Sequence, residues 1–236
     1  MKTWIFAGLA SKTDVTLYLS KILANMGFKV LLVDGTEYER YRYSVDPIFL
    51  PEWITEFEGF DVACGFTNYK RMVDYLSSVD EDITHYDFIL VDVEKIDFLT
   101  KEEWISAAAR LWVSTYSRQD LERGKEWIYK LQESLRVEEL PNFYQLWTRT
   151  VDTSIDQYAW EFYNDIPIHF HGTPVSIYWN EVDIALQIEN EHIKKLRVKP
   201  FSRQYKKSLT VLLELLTGWT YVESKKAIAL TERKRA

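Results

Sequence analysis

Three charged side chains stand where a chain can handle phosphate and a metal ion. Lys12 follows Gly8 across a short loop, and Asp34 and Asp92 each end an apolar run. A lysine entering a helix from such a loop meets anions beside the helix's unpaired N–H groups. Carboxylates at strand ends coordinate magnesium directly or through water, and they equally cap neighbouring turns. Lys12 has the same two readings, an anion ligand or a basic side chain at an ordinary helix start.

The elements that must position these residues follow from apolar spacing. Met1 to Ala7 is a short apolar run and Gly8 to Lys12 a loop. Val15, Leu19, Ile22, Leu23 and Met26 then recur at helical spacing up to Gly27, and Lys29 to Val33 reads as a strand ending at Asp34. This is a βαβ unit with a phosphate-loop layout. Glu37 to Phe60 is charged and aromatic, interrupted by Pro47 and Pro51, and reads as a surface excursion. Helical spacing returns from Phe66 to Val79, and Tyr86 to Asp92 is a continuous apolar strand of the kind buried on both faces of a parallel sheet.

Thr100 with Glu103 forms a capping-box pattern opening a short helix to Ala109. Arg110 to Thr115, Asn142 to Thr148 and Pro174 to Trp179 are further strands. Helices are expected over Ser117 to Arg136, with Leu121, Trp127, Ile128 and Leu131 inward, then over Ser154 to Tyr163, Glu181 to Glu191 and Phe201 to Leu216. Strands alternating with helices predict a single doubly wound, mostly parallel α/β sheet with helices on both faces. Ligands of such sheets sit beyond the strands' carboxyl ends, so the Lys12 loop, Asp34 and Asp92 should face one crevice.

At 236 residues the chain can bury a large single core, and no low-complexity linker divides it. With 47% hydrophobic and 28% charged residues it is globular in composition, and neither a membrane span nor a signal peptide is expected. The single Cys64 excludes an internal disulfide and a cysteine metal site, and it fits a reducing, cytoplasmic setting. From Lys194 onward 12 Lys and Arg face 3 Asp and Glu, a net of +9 in a chain of net −7, so residues 1 to 193 carry −16. Such a basic end is either a solvated helix face with a frayed tail or a weak contact for a membrane surface, DNA or an acidic partner protein. The division expected is a domain over 1–218 and a basic C-terminal tail over 219–236. His169 and His171 alternate and can share a face of a strand, without a visible third metal ligand. The nine tryptophans are too scattered for a base-stacking platform and read as core or protein interface.

In order along nearly the whole chain, the Gly8 to Asp14 loop, the Leu32-Val33-Asp34 strand end, the Tyr86 to Asp92 strand and the ARLWVSTYSRQDLERGKEWI stretch resemble the MinD/ParA family of deviant Walker P-loop ATPases. The resemblance implies ATP and magnesium as ligands, held by Gly8, Lys12, Thr13, Asp34 and Asp92. Lys12 falls on the phosphate-loop lysine, Thr13 on the magnesium-binding hydroxyl, and Asp92 at the end of the Walker B strand. It also implies protein partners and a homodimer, and a role in positioning or scaffolding assemblies, with pilus proteins of the TadZ/CpaE type as the nearest analogy.

The departures cluster in the chemistry. Ala7 stands in place of the signature lysine, Phe6, Leu9 and Ser11 replace glycines, Asp14 replaces the second loop threonine, and Thr36 replaces the carboxylate that orients water. Thr148-Arg149 stands where an Asn-Arg pair helps hold adenine. Side chains at Leu9 and Ser11 obstruct the approach of backbone N–H groups to phosphate. An inward Asp14 repels it by roughly 4 kcal/mol at about 4 Å and an effective dielectric of about 20. Ser11 and Asp14 together can instead cap the helix and complement its dipole. The expectation is a degenerate member with impaired or absent hydrolysis and no assigned catalytic residue, acting in the cytoplasm or at the membrane periphery. The alternative is an ATP-dependent dimerisation switch that positions cargo on membrane or nucleoid.

Overall fold

The structure, a computed structural model, describes residues 1–45 and 53–233. Its centre is β1 (Lys2–Ala7), flanked by β5 (Phe88–Val93) and β6 (Ala109–Ser114). In β1, Trp4 and Phe6 enter one core while Ile5 and Ala7 enter the other. The strand is therefore apolar at successive positions, as burial on both faces requires. Outward from β5 lie β2 (Val30–Gly35), β4 (Phe60–Cys64) and β3 (Trp53–Phe57); outward from β6 lie β7 (Tyr144–Thr150) and β8 (Val175–Tyr178). All neighbours are parallel except β3 with β4.

One face of the sheet is covered by α1 (Thr13–Asn25), α8 (Arg203–Thr217) and α9 (Tyr221–Arg233), with Leu186 of α7 (Glu181–Ile193) in the same core. The other is covered by α3 (Tyr69–Ser78), α4 (Lys101–Ser106), α5 (Arg118–Leu135) and α6 (Asp156–Glu161). The single, mostly parallel, doubly wound sheet is thus as the periodicity predicts. The capping box on α4 is formed in both directions, Thr100 accepting from the Glu103 amide and Glu103 from the Thr100 amide. The four inward positions expected of α5 are buried.

Two expectations are corrected. The stretch Glu37 to Phe60 is not only a surface excursion: it contains α2 (Tyr41–Ser44) and β3, and it leads into β4, so the sheet has two more strands than the apolar runs suggested. The hairpin between them turns on Glu58 and Gly59, both at positive φ (54° and 91°), which suits a tight two-residue link. Pro47 and Pro51 lie outside the described residues. Nor do Ser11 and Asp14 cap α1: its N-cap is Lys12, with no side-chain cap bond.

Residues 219–236, expected as a tail, contain α9, which packs on α1 and α8 with Ala227 and Ile228 buried. Lys234 and Arg235 lie outside the described residues. Among the described residues no helix is long and apolar enough to cross a membrane.

Candidate functional site

The parallel register brings the sequence-derived residues to one end of the sheet. Ala7 pairs with Val93, Phe6 with Asp92, and Asp34 with Asp92, so the Gly8 loop and both carboxylates emerge side by side. Gly8 sits at φ 121°, and a Cβ there would lie 2.4 Å from the Val113 carbonyl oxygen. Only glycine fits so close to the end of β6. Its N–H is also spent, donating to the Val93 carbonyl at 3.3 Å. Leu9 packs against one core and Ala10 into the other, which ties the loop to both faces of the sheet.

Lys12 is almost fully buried, at 1% exposure. Its ammonium turns back into its own loop, donating to the Gly8 carbonyl at 2.7 Å, and pairs with Asp92 Oδ1 at 2.7 Å. The other Asp92 oxygen accepts from the Tyr41 hydroxyl at 2.7 Å, and that hydroxyl lies 2.5 Å from Thr16 Oγ1 on α1. Burial, and then the Asp92 charge, push the Tyr41 hydroxyl far above its ordinary pKa, so it remains a donor. The carboxylate is therefore satisfied on both sides by protein groups, as a buried charge must be.

Asp34 is committed as well. Oδ1 accepts from the Thr36 amide at 3.0 Å and hydroxyl at 2.6 Å, and Oδ2 accepts from the Tyr41 amide at 3.1 Å. The Cys64 thiol donates to the same Oδ2 at 3.7 Å. Burial raises the Asp34 pKa to about 6, opposed by the Thr36 bond and aided by the neighbouring Asp92 charge. Thr36 thus anchors a turn: its hydroxyl also accepts from the Arg40 amide. Arg40 in turn pairs with Glu94 at 2.8 Å.

The structure therefore brings Gly8, Lys12 and Asp92 into direct contact and places Asp34 one strand away, its oxygens bound elsewhere. The Thr13 hydroxyl is buried and has no hydrogen-bond partner among the described residues. Asp14 lines the crevice opposite Arg149; burial raises its pKa to about 6, the Arg149 charge opposing and Glu191 adding. Above the loop, between Asp14, Thr148, Asn180 and Tyr205, only about 40 Å³ of cavity remains. Small-molecule sites typically hold roughly 300–1,000 Å³. A shallower cleft of about 330 Å³ opens beside it, between Thr13, Asp14, Arg40 and Arg149.

As arranged, these residues do not fit ATP with magnesium. The loop lysine serves as the local counter-ion, the glycine N–H is bonded within the sheet, and the carboxylate that the resemblance assigns to magnesium is held by Lys12 and Tyr41. The histidines are not brought together: His169 faces Glu139, whereas His171 packs edge-on against Tyr144. Among the described residues no group of three or more His, Cys, Asp or Glu could hold a metal ion.

Tyr41 is the residue that sequence reasoning missed. It is fully buried in a four-residue helix, flanked by charged neighbours that gave the segment the look of surface. No spacing rule marks it, because its partners Asp92 and Thr16 belong to other elements.

No protein-family model matches the sequence, and no curated protein does. Solved structures do. A plasmid partition protein from Borrelia burgdorferi B31, bound to AMPPNP, superposes with a TM-score of 0.60 at 13% identity, over 92% of this chain and 99% of that one. The ParA family ATPase of Chlorobium tepidum TLS gives 0.57 at 16%, over 91% and 97%. The MinC:MinD cell division protein complex of Aquifex aeolicus gives 0.55 at 15%, over 99% and 95%. The chain has the fold of the MinD/ParA P-loop ATPases.

Proposed function

We propose that this chain is a degenerate MinD/ParA-like protein, with impaired or absent ATP hydrolysis, that acts as a positioning or scaffolding factor in the cytoplasm through contacts with other proteins, a second copy among them. The observation that supports this reading most directly is the buried Lys12–Asp92 pair. In it the loop supplies its own cation to the carboxylate that the family resemblance assigns to magnesium. The loop is further held by Leu9 and Ala10 in the two cores, and Asp14 sets a carboxylate at the start of α1. Leu9, which replaces a glycine, obstructs a nucleotide and at the same time ties the loop to the core, so that substitution serves the fold rather than the ligand.

Calorimetry on the unmodified protein tests the reading without any variant. No heat of binding is expected with ATP-Mg at millimolar concentration, and no turnover above background. An ATPase rate that Lys12→Ala abolishes would sink it.

A second reading, an ATP-dependent dimerisation switch that positions cargo on membrane or nucleoid, draws on one feature: the buried, unpartnered Thr13 hydroxyl at the position the resemblance assigns to magnesium. It requires Lys12 to leave Asp92, and it predicts tight ATP-Mg binding together with a nucleotide-dependent change in sedimentation.

A further inference from the structure

We infer that the groove between α8 and α9 is a docking site for an acidic protein segment carrying an aliphatic or aromatic side chain. The two helices form a hairpin closed at Gly218, which ends α8 in the left-handed region, and the Lys206–Glu232 pair at 2.5 Å ties them at the far end. Between them lies a cavity of about 430 Å³. Its floor is Thr210, Ile228 and Ala229, and Tyr221, 45% exposed, forms part of its wall. On its rim stand Arg203, Lys207 and Lys225, all exposed and none in an ion pair with any described residue. Every other charge lining the groove is consumed: Glu232 is neutralised by Lys206, so the unbalanced charge there is wholly positive.

Charge complementarity selects the occupant. Three uncompensated cations around an apolar floor suit carboxylates that flank an apolar side chain. The floor gains from that side chain while the rim pairs with the acids. Residues 1 to 193 carry −16, so an acidic partner is repelled by the body and steered to this face. Lining residues run from Tyr221 to Glu232, a span of roughly 16 Å of helix, enough for about five residues of extended chain.

Duplex DNA fits less well, because an apolar floor offers nothing to phosphates. A membrane fits less well because the apolar lining is recessed between two helices and rimmed by cations, which leaves no continuous apolar face to insert. The inference deepens the scaffolding proposal by naming a surface and a partner chemistry, and it rests on that proposal for its biological meaning. Tight ATP-Mg binding in calorimetry would remove the scaffolding proposal and leave the groove's own test unchanged.

The experiment measures fluorescence anisotropy of a short labelled peptide of Glu, Asp, Leu and Phe, beside a peptide of Glu and Ser with equal charge. The full chain is compared with Lys207→Glu/Lys225→Glu and with Ala229→Glu. These sites are exposed or half-buried helix positions, and circular dichroism checks that the fold is kept. Saturable binding of the apolar-acidic peptide is expected. It should weaken about tenfold or more in each variant, as a loss of about 1.4 kcal/mol gives, and the Glu-Ser peptide should bind the unmodified chain at least that much less well. Equal binding of both peptides, or binding indifferent to the substitutions, overturns the inference. So does retention of duplex DNA or phosphatidylserine vesicles, lost in the variants, where the peptide is not bound. Self-association of the free chain, abolished by the same substitutions, would assign the groove to a second copy and overturn it as well.

Discussion

At the scale of single residues, Lys12 is structural before it is anything else. Both members of its pair with Asp92 are almost entirely buried. Removing one strands the other, at a cost of about 3–5 kcal/mol, while neutralising both together is far milder. Lys12→Met should therefore lower unfolding stability in urea by about that amount, and Lys12→Met/Asp92→Asn should recover most of it, since Asn keeps an acceptor for Tyr41. Additive losses in the double variant would show that the two do not act as a pair. Asp14 and Asp34 show the opposite strain. Each has a folded pKa of about 6 against an ordinary 3.8. A carboxyl raised in this way keeps its proton longer in the folded state, so its effect is to lower stability as pH climbs from about 4 to about 6, with a plateau above. Two units correspond to about 3 kcal/mol. Solvent on the open side of Asp14 reduces its share to about 1–3 kcal/mol. Asp14→Asn should accordingly leave stability unchanged at pH 4 and raise it by that amount at pH 8, in denaturant titrations at the two pH values. An equal effect at both would place the cause outside the carboxyl's titration.

At the scale of elements, the loop from Gly8 to Lys12 is built as a strand-to-helix connection. Gly8 is required by its φ of 121° and by the Val113 carbonyl beside it, irrespective of any ligand. Gly8→Ala should lower stability by about 2 kcal/mol or more, through left-handed strain and backbone collision, and this should show in thermal melts without any nucleotide present. A neutral outcome would mean that the loop can shift away from β6. The neighbouring turn follows the same logic: three hydrogen bonds join Asp34 to Thr36 and Tyr41, and a fourth holds the Arg40 amide on the Thr36 hydroxyl, so a segment rich in charges delivers one tyrosine to the centre of the site. Trp127 performs a similar task across the sheet, its indole N–H reaching the Glu94 carbonyl at 2.7 Å and fastening α5 to the end of β5.

At the scale of the whole molecule, the basic end of the chain completes the core. Ile228 of α9 is 4% exposed and belongs to the same apolar cluster as α1 and α8. Ile228→Ala should cost about 2–5 kcal/mol, and at roughly 2–4 °C per kcal/mol in a chain of this size the melting temperature should drop on the order of 10 °C. A frayed tail would give no change, so differential scanning fluorimetry separates the two.

How much was legible in advance follows from what kind of information each feature needs. Helix and strand periodicities are local, so β1, α1, β2, the Asp92 strand and the α4 capping box could be read directly from spacing, and with them the parallel architecture. The β3–β4 hairpin was hidden because charges and prolines around it outweighed a Glu-Gly turn signal only two residues long. The positions of Lys12, Asp34 and Asp92 at one sheet end also followed from the amino-acid order, since parallel strands place their carboxyl ends together. What Lys12 does there did not follow. A lysine side chain takes the partner that burial and geometry bring within reach, and Asp92 meets Lys12, and Tyr41 meets Asp92, only when β1, β5 and α2 are packed. The sequence by itself determined the scaffold and the address of the site; tertiary packing decided that its cation, its carboxylate and its hydroxyl satisfy one another, because such pairings depend on distances between residues far apart in the chain.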